Sequence, residues 1–177
     1  DGAAGSDGLL VWSAWLPGQA MGSKIVTIFP GNRSSVPEIP TVHGVFTLFD
    51  GVDGAPLAIF DGTALTVRKT AADSGLGARY LAPPEARILL MVGAGAMARH
   101  LIAAHRAVRP CVEKVLVWNR TPGRAEDLVA ELADGSISVA PDLETAARQA
   151  DIISCATRSV EPLIKGAWLK RGCHLDL

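Results

Sequence analysis

The sequence is short of several things, and each shortage removes a class of function. It holds three cysteines, Cys111, Cys155 and Cys173, scattered with no CxxC spacing. A sparse, odd set of this kind fits a reducing compartment and neither a disulfide scaffold nor a zinc site, so a cytoplasmic location and no metal are expected. No apolar run reaches the roughly 18 residues that a membrane span requires. Basic charge is not concentrated anywhere, and the 177 residues carry a formal net charge of -1, which argues against a nucleic-acid surface. The start, "DGAAGSDG", is polar and glycine-rich and does not read as a secretory leader. The chain begins without Met and stops at "GCHLDL", inside what reads as a strand, so it is expected to be a piece of a longer protein.

What is present suits an α/β protein. With 49% hydrophobic and 20% charged residues, the chain has material for one ordinary core or two small ones. The first half reads as β-rich. "KIVTIF" (24–29) ends at the turn signal "PGN", and "GVFTLFD" (44–50) and "PLAIFDG" (56–62) form a hairpin pattern around "GVDGA". From about Lys69 the pattern changes to a helix, with Thr66 or Thr70 near its start and "PPE" (83–85) at its end. Beyond it, strands are expected at 87–92, 114–118, 137–139, 151–155 and 172–176. Helices are expected at about 96–108, 122–133 and 142–149, the last with Asp142 as N-cap. Alternating strands and helices imply a parallel sheet with right-handed crossovers. The expected division is therefore a β-rich part over 1–82 and a Rossmann-type part, with an incomplete sheet, over 83–177.

The chemistry centres on "MVGAGAMARH". Gly93-Ala94-Gly95-Ala96-Met97-Ala98 fits the dinucleotide pattern G-x-G-x-x-[GA] between a strand and a helix. Gly93 permits a tight turn. Gly95 lets a pyrophosphate approach the backbone. Ala98 lets the helix pack against the strand. Free N–H groups at the helix start, around Ala96 and Met97, then face the phosphates. The same turn could join strand to helix with no ligand, but a second strand at the βαβ distance favours the cofactor. That strand ends Trp118-Asn119-Arg120-Thr121, without the Asp or Glu that an NAD site uses on the ribose hydroxyls. Arg120 and Thr121 can hold a 2′-phosphate, with Arg124 as a further contact, so NADP(H) is expected ahead of NAD(H). After the fourth strand, the turn "CATRS" places Ala156 and Thr157 at the nicotinamide end.

A substrate clamp is sought in the first half. Lys24 opens an apolar strand, His43 sits in "PTVHGVF", and Arg68, Lys69 and Thr70 stand at the expected helix start. Cations there oppose the helix dipole unless an anion joins them, although a solvated Arg-Lys pair fits the same residues.

Four stretches together carry a resemblance: "GSKIVTIFPGN", "LFDGVDGAPLAIFDGTALTVRKTAADSGLGARYLA", "VGAGAMARHLIAAH" and "VWNRTPGRAEDLVAEL". In order and spacing they resemble the ornithine cyclodeaminase/mu-crystallin family over nearly the whole chain. The "KTAADSGLG" helix and the "HLDL" strand are most similar to its bacterial Δ1-pyrroline-2-carboxylate (ketimine) reductase branch. The resemblance implies a Rossmann domain preceded by a β-rich domain for substrate and for a homodimer, and a small amino-acid or cyclic imino-acid substrate. Lys24 matches the active-site lysine beside the substrate carboxylate, and Thr70 a threonine on a cofactor phosphate. Lys69 falls where the family usually has arginine, which exchanges a bidentate clamp for a point charge. His43 falls where glutamine is common. The implied reaction is NADPH-dependent reduction of a cyclic ketimine to L-proline or L-pipecolate. The family also offers NAD-dependent ornithine cyclodeaminase, alanine dehydrogenase, and a non-enzymatic NADPH-binding mu-crystallin. "GAGxMA" with "NRT" also occurs in shikimate dehydrogenase and glutamyl-tRNA reductase, but the N-terminal half fits neither. The family's arginine before this segment, an acidic or polar catalytic residue after it, and the return of the chain to complete the sheet are expected outside these 177 residues.

Overall fold

The structure, a computed structural model, describes residues 7–37, 39–157 and 159–177. The chain divides into two compact units, one running to Thr66 and one from Val67. The division expected after residue 82 coincides instead with the end of a long helix, described below.

The first unit is a four-stranded antiparallel sheet in the order β1-β2-β3-β4. β1 (Gly8–Leu16) and β2 (Ala20–Ile28) pair along their whole length, joined by a tight turn at Pro17-Gly18 that a Gln19 N–H to Leu16 carbonyl bond of 3.0 Å closes. β3 (Val42–Asp50) and β4 (Pro56–Asp61) form the expected hairpin. Its turn is braced by Asp50 Oδ1, which accepts the Val52 N–H at 2.7 Å, and by Asp53 Oδ1, which accepts the Ala55 N–H at 2.9 Å. β1 was not foreseen. "GLLVWSAWL" is apolar without alternation, and the strand is mostly exposed, so neither period nor burial marks it. β2 likewise begins four residues before the expected Lys24.

α1 (Gly62–Leu81) is twenty residues long and corrects the expected helix start by seven. Asp61 sets that start: its Oδ1 accepts the N–H groups of Thr63 (2.8 Å) and Ala64 (3.1 Å), as an N-cap does. Arg68, Lys69 and Thr70 are therefore nearly two turns inside the helix, and the dipole no longer calls for an anion beside them.

The second unit holds a five-stranded, fully parallel sheet in the order β7-β6-β5-β8-β9. β5 (Ile88–Val92), β6 (Lys114–Trp118), β7 (Ile137–Val139), β8 (Ile152–Cys155) and β9 (His174–Asp176) alternate with α2 (Ala98–Val108), α3 (Pro122–Leu132) and α4 (Leu143–Gln149). Asp142 caps α4 as expected, accepting the Thr145 N–H at 2.8 Å. Side chains alternate across the central strands. Leu89, Met91, Ile152, Val115 and Val117 join Ala71, Ala78, Leu101 and Ile102 in one core. Leu90, Val92, Leu116 and Ile153 face α4 in the other. The chain runs outward one way from β5 to β7, then crosses over to β8 and β9. This leaves a crevice at the carboxyl ends of β5 and β8, where open α/β sheets take their ligands. Among the described residues, no helix is long and apolar enough to cross a membrane. None of their His, Cys, Asp and Glu side chains gather in a group that could hold a metal ion.

One buried charge locks α1 to this unit. Arg109 is 8% exposed, and its guanidinium donates to the carbonyls of Arg79 (2.9 Å), Ala82 (2.6 Å), Pro83 (3.0 Å) and Val108 (2.9 Å). Its charge thus meets the electronegative end of α1, where the last carbonyls have no helical partner. Arg109→Ala would strand several buried acceptors. Chemical denaturation followed by circular dichroism should show a loss of about 2–3 kcal/mol, with Arg109→Lys recovering part of it; an unchanged midpoint would refute this account.

Candidate functional site

The glycine turn after β5 is built by close approach of two backbones. Gly93 has φ +108°, and a β-carbon on it would stand 2.5 Å from the carbonyl oxygen of Ala156. Both the dihedral and the contact exclude a side chain. The Gly93 N–H donates to the Trp118 carbonyl (2.8 Å), and the Ala156 N–H donates to the Val92 carbonyl (2.9 Å). The turns after β5 and β8 therefore interlock at the crevice.

Gly95 is different: a β-carbon there would meet nothing within 4 Å, so its side faces open space. α2 starts at Ala98, two residues later than expected, and Ala98 is fully buried, as close packing of helix on strand requires. Ala96 and Met97 thus lie in the turn. Among the described residues, the N–H groups of Gly95, Ala96 and Met97 have no hydrogen-bond partner. An open cradle, free donors and a helix N-terminus fit a pyrophosphate.

At the end of β6, Asn119 braces the neighbouring turns. Its Oδ1 accepts the Ala94 N–H (3.3 Å) and its Nδ2 donates to the Thr121 carbonyl (2.9 Å). Arg120, Thr121 and Arg124 are exposed around the start of α3. Thr121 is the N-cap of α3, but its hydroxyl makes no capping bond, and the first turn contains no acidic residue. These side chains and the helix N-terminus, with no acidic residue in the first turn, together suit an anion.

Beyond β8, Thr157 is exposed, and its Oγ1 accepts the Ser159 N–H at 3.4 Å. Arg158, in the same "CATRS" turn, lies outside the described residues. An open cavity of about 340 Å³ adjoins this turn, lined by Cys155, Thr157, Val160, Leu163 and Leu175 among others. Burial, aided by the Asp176 charge, pushes the Cys155 thiol up to about 11. It is a neutral wall residue, not a thiolate nucleophile.

The remaining expected residues are placed as follows. Lys24 stands in mid-β2, half-buried, paired in register with Trp12 and Phe46. His43 pairs with Thr27, and side chains alternate along a strand, so His43 lies on the opposite face from Lys24. The structure does not bring them together, which corrects their grouping in one clamp. Lys69 Nζ is 2.6 Å from Asp73 Oδ2, an i,i+4 pair with side chains 65% and 63% exposed. Thr70 is exposed on the next position of α1.

Sequence reasoning missed a buried polar cluster between the sheet and its helices. Asp176 Oδ2 accepts the Ser154 hydroxyl at 2.7 Å and lies 3.2 Å from Nε2 of the fully buried His105. Ser74 bonds the same carboxyl. Two signals were available: Ser154 is a lone hydroxyl inside "DIISC", and His105 continues the buried stripe of Leu101 and Ile102 on α2. Burial alone would raise the Asp176 carboxyl, but the hydrogen bonds from His105, Ser154 and Ser74 outweigh it and hold the value down at about 2.

A profile of the ornithine cyclodeaminase/mu-crystallin family matches residues 8–177. The chain is 46% identical over 167 residues to a Δ1-pyrroline-2-carboxylate reductase of Paracoccus denitrificans, covering 93% of this chain and 52% of that protein. It is similar in structure to Thermococcus litoralis Δ1-pyrroline-2-carboxylate reductase, solved with NADH and L-proline. The TM-score is 0.78 at 30% identity, over 96% of this chain and 56% of the other. An archaeal alanine dehydrogenase dimer with bound NAD gives a TM-score of 0.84 at 31% identity, over 94% and 51%. The chain thus spans about half the length of the curated relatives it matches.

The cluster yields a pH dependence. A carboxyl held below its ordinary 3.8 contributes its full stability at neutral pH and loses it as the pH falls through about 2. Asp176→Asn should lower stability at pH 7 by about 1–3 kcal/mol and flatten the acid limb of the unfolding curve. Ser154→Ala should move that limb to higher pH. Acid titrations of the three proteins that run parallel would show that the cluster does not hold the carboxyl down.

Proposed function

The chain belongs to the ornithine cyclodeaminase/mu-crystallin family, and from that premise we propose that it reduces a cyclic ketimine with NADPH. The substrate is Δ1-pyrroline-2-carboxylate or Δ1-piperideine-2-carboxylate, and the product L-proline or L-pipecolate. One observation carries the reading. The open phosphate turn at Gly95 is followed by a β6 end with Asn119-Arg120-Thr121 where an NAD-type carboxylate would stand. The substrate follows the reductases to which the chain is similar.

In this proposal the N–H groups of Gly95, Ala96 and Met97 hold the pyrophosphate. Arg120 and Thr121, with Arg124, hold the 2′-phosphate, and Asn119 keeps their turn in shape. Gly93 keeps the turn of Ala156 and Thr157 close, so that these two line the nicotinamide end. Thr70 supplies a further phosphate contact. When bound, the nicotinamide supplies hydride to the C=N carbon. Lys24 holds the substrate carboxylate as a cation and is the candidate proton donor to the imine nitrogen. Lys69 assists the carboxylate. Its exposed pair with Asp73 is worth only about 0.3–0.5 kcal/mol, so Lys69 exchanges partners readily. His43, on the other sheet face from Lys24, is left out of the substrate set. The proposal includes a cytoplasmic homodimer; the alanine dehydrogenase dimer supports the association and the unpaired cysteines the compartment.

The NADH bound in the Thermococcus litoralis reductase favours a second reading of the cofactor alone. One experiment separates the two. With the full-length protein, oxidation of NADPH and of NADH is followed at about 340 nm (the reduced-nicotinamide band) with Δ1-pyrroline-2-carboxylate; ornithine with NAD is the control. NADPH should be preferred. Arg120→Ala should raise its KM roughly tenfold to a hundredfold, the loss of a charge-assisted bond, and leave the KM for NADH unchanged. Lys24→Ala should lower kcat/KM by roughly a hundredfold or more. Preference for NADH with an indifferent Arg120→Ala would establish the second cofactor reading. Ammonia release from ornithine without ketimine reduction would overturn the function.

A further inference from the structure

Lys24 has an aromatic neighbour that the proposed reaction does not yet use. Its Nζ lies 5.6 Å from the centroid of the Trp12 ring, within cation–π range. The two residues are directly paired between β1 and β2. The same cross-strand row continues through Phe46 on β3 to Phe60 on β4, whose rings are 6.1 Å apart at 42°. Gly22 makes room for this row: a β-carbon there would stand 2.5 Å from the tip of the Phe46 ring.

That face offers the ammonium no anion. Among its described strand positions the carboxylate is Asp50, four residues along from the Lys24 pair, or about 13 Å at strand rise. Asp50 is already engaged by the Val52 N–H. Lys24 has no ion pair or hydrogen bond among the described residues, so the indole face is what restrains a long, otherwise free side chain. A ring holds a cation without consuming its N–H donors, which an acidic partner would do.

We propose that Trp12 is a positioning residue: its indole fixes the Lys24 ammonium, with its donors unspent, where a substrate carboxylate meets it. This rests on the reading of Lys24 given under the proposed function. Restraint before binding lowers the entropy lost on binding. It also predicts a grading, because ring strength falls from Trp to Phe and vanishes at Leu.

The test uses the full-length protein with Trp12→Leu and Trp12→Phe. Trp12 is 52% exposed, so neither change empties a core. For the ketimine, KM should rise about five- to thirtyfold in Trp12→Leu, the range of a cation–π contact from exposed to desolvated. Trp12→Phe should fall between it and the parent, and the KM for NADPH should not move. Calorimetric titration with pyrrole-2-carboxylate, a stable planar carboxylate, should weaken in the same order. Equal affinities in all three proteins would overturn the proposal, as would a parallel loss of NADPH affinity, which marks a structural defect. A turnover-free measurement separates this inference from the reaction itself. Carbon-13 dimethylation of the lysines gives a Lys24 methyl signal, assigned by its loss in Lys24→Ala. Ring-current displacement of that signal in the parent, cancelled in Trp12→Leu, supports Trp12 as the partner even if no ketimine is reduced. A signal unmoved by Trp12→Leu refutes it.

Discussion

The approach of Gly93 to the carbonyl of Ala156 is the contact around which the second unit is arranged. At 2.5 Å from a notional β-carbon, it leaves no space for any side chain, and φ +108° would strain one in any case. The contact joins the ends of the two strands between which the sheet changes direction, β5 and β8. If Gly93 were bulkier, the β8 turn would be pushed off, and the crevice at the strand ends would lose one wall. The open side of Gly95 is useful only because the Gly93 side is closed. One glycine makes the turn tight and the other leaves room at it, so the cradle depends on both.

Charge is distributed with the same economy. The start of α3 has no acidic residue, and Arg120, Thr121 and Arg124 gather around it in solvent. Where the unit does bury charge, it gives it several partners. Arg109 spends its donors on the carbonyls that end α1, and Asp176 is held by Ser74, His105 and Ser154. An exposed guanidinium keeps its bonding capacity for a ligand; a buried one must find partners within the fold or become a liability. By that criterion Arg109 belongs to the scaffold, and exposed Arg120 fits the binding role proposed for it.

The parallel half was legible in the sequence because each strand there is a short apolar run between turn signals, and each helix carries its own punctuation. β6 and β7 fall where expected, and Asp142 caps α4. The antiparallel half was less legible. "GLLVWSAWL" has no alternation to reveal a strand that is exposed along most of its length, and its partner β2 supplies the register. The start of α1 is hidden because Thr66 and Thr70 are reasonable caps in isolation, whereas Asp61, the cap used, is at the same time the last residue of β4. The polar cluster was illegible for a different reason. Its members come from α1, α2, β8 and β9, and only the crossovers bring four such distant segments to one carboxyl.

The first unit shows why residue type alone is a poor guide to a clamp. Lys24 and His43 both sit in apolar strands, and both could serve a carboxylate. Pairing of Thr27 with His43 and of Lys24 with Phe46 puts them on opposite faces, since a step of three residues along a strand reverses the side. Arg68 and Lys69 looked like cations held against a dipole, which would demand an anion. Seven residues of helix before Lys69 remove the dipole argument, and Asp73 supplies an ordinary surface partner. Of the four residues first considered, Lys24 is thus the one whose surroundings set it apart. It stands half-buried on an apolar face, with an indole beside it and no carboxylate within the row. The proposed substrate, with one carboxylate and an apolar ring, matches both halves of that environment, the ammonium and the aromatic row.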